Sequence, residues 1–182
     1  MTNDGANMRN NGFTLIELLV VIAIITVLAT LLQPAVIGAI KKAKIASTQN
    51  EVASIANAAR AFYTEYGRMP TTLPVGAGQD PVFGGADAPN PQAAVISILT
   101  QATNAANPRR IVFLQVSPDS MLDGNFVDPW NNPYYIVLDN NYDGSIKADL
   151  PTVGAVNLSG ITVGAYSLGP PPVSVDTVIK SW

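Results

Sequence analysis

The chain has 182 residues, 48% of them hydrophobic and only 13% charged, with a formal net charge of −3 and a pI near 4.7. That length admits one ordinary domain plus an appendage, and the acidic balance argues against capture of nucleic acid by long-range attraction. There is no cysteine and no histidine, which excludes disulfides, zinc–thiolate sites, cysteine nucleophiles and the commonest general base. An enzyme would be confined to carboxylates, lysines and tyrosines, so a non-enzymatic role is expected.

Residues 1–12 are mostly polar. From Leu18 to Ile40 the chain runs 23 residues without a charge, enough for a bilayer-spanning helix, which needs about 20. The run is longer than the apolar part of a secretory signal peptide, about 7–15 residues, and Lys41, Lys42 and Lys44 follow it in place of a small-residue cleavage site. A retained membrane helix over residues 13–40 is therefore expected, with an orientation that charge alone leaves open. Glu17 sits just inside it. An acid near the centre of a membrane helix costs about 2.5–3.5 kcal/mol on insertion scales, less at the interface. As part of a plain anchor, Glu17 would be a headgroup-boundary residue.

Beyond Ile40 a helical rhythm persists. Ile45, Thr48, Val52, Ile55, Ala59, Phe62 and Tyr66 fall at alternating spacings of 3 and 4, one apolar stripe on an amphipathic helix. Gly67 suits a C-terminal cap and Pro70 prevents continuation. One helix from about Phe13 to Tyr66 follows, with a kink expected at Pro34, which lacks a donor and crowds the carbonyl of Thr30.

Residues 71–91, rich in Gly, Pro and Ala, read as loop. A second helix is expected from about Gln92 to Ala105, burying Val95, Ile96 and Leu99. "NPRRIVFLQV" is a short apolar segment, extended or helical. In "FVDPWNNPYYIVLD" a Pro-bounded turn leads Tyr134–Leu138 into a strand, with Trp130 as a hydrophobic plug. "ITVGAYSLG" reads as another strand and "VIKSW" as a terminal strand or cap. The fold class is α+β: a long N-terminal helix packed on a small antiparallel sheet.

"DNNYDGSIKADL" begins like a calcium loop. Asp139, Asn141 and Asp143 stand at positions 1, 3 and 5, with Gly144 at the bend and Ser145 after it as a further oxygen donor. Position 12 is Leu150 and not the bidentate glutamate, so a full EF-hand is excluded. These four residues are the candidate Ca2+ ligands; the alternative is an Asp/Asn/Gly hairpin turn without metal.

The string G-F-T-L-I-E-L-L-V-V-I-A-I-I, from Gly12 onward, resembles the N-terminal signature of type IV pilins and type II secretion pseudopilins. "EYGRMPTTLP", with Met69 in place of an aromatic, and "DPWNNPY", with Asn132 set against the glycine of the family's D-P-W-G-N-P-Y block, are similar to the secretion-type major pseudopilins. The resemblance implies a pilin-like fold and three segments: a cytoplasmic leader (1–12), a membrane and assembly helix (13–40), and a periplasmic helix and head (41–182). It implies cutting by prepilin peptidase between Gly12 and Phe13, methylation of Phe13, and a role for Glu17 in compensating that amine during assembly. It further implies a single-pass bacterial inner-membrane protein that joins a periplasmic filament. Its partners would be further copies of itself, minor pseudopilins and an inner-membrane assembly platform. Major pseudopilins often bind calcium through an acidic segment near the C-terminal sheet; here that segment is "GPPPVSVD", which keeps only Asp176. The alternatives are a type IV pilus subunit and a membrane-tethered calcium-binding head.

Overall fold

The computed structural model describes residues 13–76, 78–101 and 104–182. The chain forms two compact units, Met1–Lys42 and Ala43–Trp182. Helix α1, Leu15–Tyr66, contributes to both.

In the first unit every residue from Phe13 to Lys42 is exposed, its leucines, isoleucines and valines included. Among the described residues α1 is the one helix long and apolar enough to cross a membrane. Its threonines bond their own helix: the hydroxyls of Thr26 and Thr30 donate to the carbonyls of Ile22 and Val27, at 2.7 and 2.8 Å. That is what a helix without water requires. Pro34 lies inside α1 and does not end it.

In the second unit the stripe is buried as its spacing implies. Thr48, Val52, Ile55, Ala56, Ala58, Ala59 and Phe62 are all covered, each large apolar side chain contributing about 1.5–3 kcal/mol. The helix closes at Gly67, with φ +66°, whose N–H donates to the Tyr63 carbonyl at 2.7 Å, the left-handed cap that glycine permits.

Among the described residues nine short strands follow: β1 Val82–Gly84, β2 Asn90–Pro91, β3 Met121–Leu122, β4 Asn125–Phe126, β5 Tyr135–Leu138, β6 Ser145–Leu150, β7 Gly154–Ser159, β8 Val163–Ser167 and β9 Ile179–Lys180. The main sheet has the order β2-β1-β5-β8-β9, antiparallel except between β1 and β2. Hairpins β3–β4 and β6–β7 stand beside it. β5 is covered on both faces. Ile136 and Leu138 share a core with α1 and α2 (Gln92–Thr100), whereas Tyr135 and Val137 pack with Ile146, Ala148 and Leu150 of β6. Two-sided burial explains why "YYIVL" is a continuous apolar run rather than an alternating one.

Several local expectations change. α2 stops at Thr100, five residues before Ala105, because Gln101 is extended and the Asn104 side chain donates to Ser97 Oγ and accepts from the Ala106 N–H. Asparagines that bond local backbone compete with helix. Residues 71–91 are not all loop. Val82–Gly84 pairs with β5, and Gly84 is required there because a Cβ would lie 2.3 Å from the Tyr135 ring. Residues 111–117 form neither helix nor strand; the N–H groups of Phe113 and Leu114 both donate to the Leu99 carbonyl. Trp130 is half-buried rather than a plug, with the Lys44 ammonium 6.0 Å from its ring centroid and bonded to the Pro129 carbonyl. The residue taking the place of the block's glycine is Asn131, with φ +67°, not Asn132.

Candidate functional site

The start of α1 carries the first site. Gly12 lies outside the described residues; Phe13 is exposed. The backbone N–H and the hydroxyl of Thr14 both donate to Glu17 Oε2, at 2.8 Å each, and the Glu17 N–H donates back to Thr14 Oγ1 at 3.3 Å. This is a capping box, in which a threonine and a glutamate three residues on satisfy each other's free helix-start donors. The carboxylate also meets the positive end of the helix dipole. Glu17 therefore has a local partner that lowers the penalty of an acid at the membrane edge. Both Thr14 bonds fall on Oε2, so Oε1 has no hydrogen-bond partner among the described residues. Thr14 was missing from the sequence-derived site, although T-L-I-E is itself a capping-box pattern.

The Asp139 turn joins β5 to β6. Asp139 is buried, and its two oxygens accept from the N–H groups of Asp143 and Gly144 at 3.2 and 3.0 Å. Asn141 Oδ1 accepts from Asp143 N–H at 3.0 Å. Asp143 Oδ1 accepts from the Ser145 N–H and hydroxyl, and its Oδ2 meets the Lys147 ammonium at 2.5 Å. The Lys147 and Ser145 contacts hold the Asp143 carboxyl down to about 2. The four candidate ligands thus share one turn. Among the described residues no three His, Cys, Asp or Glu side chains are placed to hold a metal ion.

Asp80, which carries no local motif, completes this region. Its oxygens accept from the N–H groups of Asn140 and Lys147 at 3.1 and 2.8 Å. Burial pushes its carboxyl above the ordinary range despite those two bonds, and Asp139 and Asp143 add to the rise.

A third polar centre organises the "DPWNNPY" turn. Asp128 is 2% exposed. Its Oδ1 accepts from the N–H groups of Trp130 and Asn132, and its Oδ2 from the Ser167 hydroxyl and the Asn132 amide. Asn132 Nδ2 also reaches the Gly169 carbonyl at 3.3 Å. The block thereby fastens the entry to β5 onto β8 and the loop that follows it. Buried Gln92 does the same for α2, donating to the carbonyls of Phe126 and Tyr134 and accepting from the Phe126 N–H.

An apolar helix opened by a Phe-Thr-x-x-Glu cap, together with a small α+β head, gives the chain a pilin-like arrangement. Residues 7–32 match the family described as the prokaryotic N-terminal methylation motif. The chain is 28% identical over 151 residues, 80% of its length and 83% of the relative's, to the type II secretion system core protein G of Aeromonas hydrophila. No solved structure matches. The similarity to that core protein extends through the head.

Proposed function

We propose that the protein is a structural, non-enzymatic subunit of a type II secretion pseudopilus, of the major-pseudopilin kind. It enters the bacterial inner membrane as a single span and is cut by prepilin peptidase between Gly12 and Phe13. It then polymerises through α1 into a periplasmic filament, together with the assembly platform and minor pseudopilins. The observation that carries this reading is Glu17. Cutting before Phe13 would create a cationic amine at the membrane edge, where an unpaired charge is costly. Glu17 offers a carboxylate one turn away that Thr14 positions through one oxygen only. Oε1 is the atom assigned to the amine, that of a neighbouring subunit in the filament. Pro34 is the place where α1 bends during assembly. The absence of cysteine and the "DPWNNPY" block favour this reading over a type IV pilus subunit, whose head often carries a disulfide.

Processing tests it. Co-expressed with an active prepilin peptidase, the chain should yield a mature N-terminus at Phe13 carrying one added methyl, read by mass spectrometry; an uncut N-terminus would sink the proposal. Glu17→Ala should still be cut and inserted but fail to form filaments. Filaments assembled by that variant at the wild-type level would remove Glu17 from the mechanism.

A further inference from the structure

The two places where the sequence raises calcium are both closed by the chain's own groups. In the Asp139 turn each oxygen of Asp139 and Asp143 already faces a donor. The positive charge is supplied by Lys147, four residues beyond Asp143. Lys147 is held in register by its own backbone, whose N–H donates to Asp80 and whose carbonyl accepts from the Asp80 N–H. A hard cation would have to displace the ammonium from Asp143 and gather six to eight oxygen ligands at about 2.3–2.6 Å, more than this turn's side chains supply.

The second place is the loop from Leu168 to Val178, in the segment that replaces the family's acidic one. Asp176 is its sole acid. The Thr177 hydroxyl faces the carbonyls of Leu168 and Ser174 at 3.0 and 2.8 Å, and accepts from the Ser174 N–H at 2.9 Å. The backbone closes tightly around that hydroxyl: a Cβ at Gly169 would lie 2.0 Å from the Thr177 carbonyl oxygen. Pro170, Pro171 and Pro172 fix φ along one arm of the loop. The donors present do not fit a calcium site in either loop.

We infer that the head holds its fold without calcium, with the Lys147 ammonium and the Thr177 hydroxyl each occupying the structural place that a bound cation would take. A charged lysine tethered by the chain is always present at its site, so order in these loops does not depend on the calcium supplied by the surroundings.

The test is thermal unfolding of the full chain in detergent, followed by circular dichroism in millimolar calcium and in excess EGTA. The wild-type midpoint should be the same in both. A calcium ion bound at about a hundred times its dissociation constant would raise the midpoint by several degrees, so a drop in EGTA that calcium reverses overturns the inference. Lys147→Met should lower the midpoint by about 2 °C, in keeping with a half-exposed ion pair. Thr177→Val should lower it by about 3–5 °C, the scale of one partly buried hydrogen bond, and Thr177→Ser, which keeps the hydroxyl, should restore it. A variant that melts with the wild type shows that its side chain does not close its loop and overturns the inference there.

Discussion

Asp128→Ala is the most informative single change in the head. Four donors converge on this carboxylate: the Trp130 and Asn132 N–H groups at 2.9 Å, the Ser167 hydroxyl at 2.6 Å and the Asn132 amide at 3.2 Å. Asp128 is 2% exposed and Ser167 is fully buried, so water cannot readily replace the lost acceptor. Two of these bonds, at about 1.5–3 kcal/mol each for a charged partner, less the relief of no longer burying a charge, give a loss of about 3–4 kcal/mol. Domains of this kind have about 5–15 kcal/mol in total, and each kilocalorie moves the midpoint of a chain this size by about 2–4 °C. The midpoint should therefore fall by roughly 10 °C, read by circular dichroism of the full chain in detergent, with urea unfolding giving the free energy directly.

Asp128→Asn is the control that separates the oxygens. It keeps an acceptor for the Trp130 and Asn132 N–H groups, and its new amide can donate to a reoriented Ser167 hydroxyl, so the loss should be about half. If Asp128→Ala melts within about 0.5 kcal/mol of the wild type, the span of an unremarkable surface change, the polar centre is incidental and the reasoning fails.

Gln92→Leu keeps the apolar volume but orphans the Phe126 N–H and removes the Gln92 donor from the Tyr134 carbonyl, while the Phe126 carbonyl keeps the Tyr134 N–H. A loss of about 2–4 kcal/mol is expected in urea unfolding, and Gln92→Glu, which turns a donor into an acceptor facing two carbonyls, should lose more. The tyrosines set the alkaline limit. Burial first, then the Glu51 and Asp87 carboxylates for Tyr134 and Tyr135, and the neighbouring Tyr135 and Asp87 for Tyr166, raise all three phenols above their ordinary value. An acid whose folded pKa is raised stabilises fully below its unfolded value, about 10, and loses that contribution as pH climbs toward the folded value. Absorbance at alkaline pH should show these three ionising together with unfolding; ionisation at about pH 10 with the fold intact would contradict the burial argument. Thr14→Val removes the hydroxyl from the helix-start cap, worth about 1 kcal/mol. It should leave cutting after Gly12 intact and slow filament assembly less than Glu17→Ala, measured by pelleting of filaments; a total loss would mean that Thr14 does more than position the carboxylate.

The sequence made the N-terminal half legible because its constraints are local. A charge-free run, an acid one turn inside it, a stripe at spacings of 3 and 4 and a Gly–Pro stop all lie within one helix. The head was harder because its organising residues act across distance. Asp80 meets the Lys147 N–H from 67 positions away, and Gln92 meets the Phe126 backbone from 34; neither leaves a trace in a short window. The Asp139 spacing was ambiguous for another reason. Oxygen-bearing side chains at alternate positions serve a calcium ion or a string of Asx turns equally well, and only the placement of Lys147 distinguishes them. The β6–β7 hairpin was readable and missed: "SIKADL" and "GAVNLS" alternate with the period of two that their burial now shows.

What remains to be explained is how a head without disulfides keeps so much irregular chain in one conformation. The bonds that do it run from side chains to backbone carbonyls of loops and short strands: Lys44 to Pro129, Arg60 to Val163, Gln92 to Phe126, Asn132 to Gly169 and Thr177 to Leu168. Each is worth about 1 kcal/mol net, less than the cost of ordering even one or two residues of loop, so none could fix its loop alone. They hold because their anchors are already immobile on α1, on α2 or beside the two-sided sheet. Loop order is thus conditional on the core, and the core is sealed by the loops. The physical consequence is a single unfolding transition for the head. Asp128→Ala should accordingly shift that whole transition downward, as read by both backbone circular dichroism and the combined emission of Trp130 and Trp182, rather than release the turn as a separate early step.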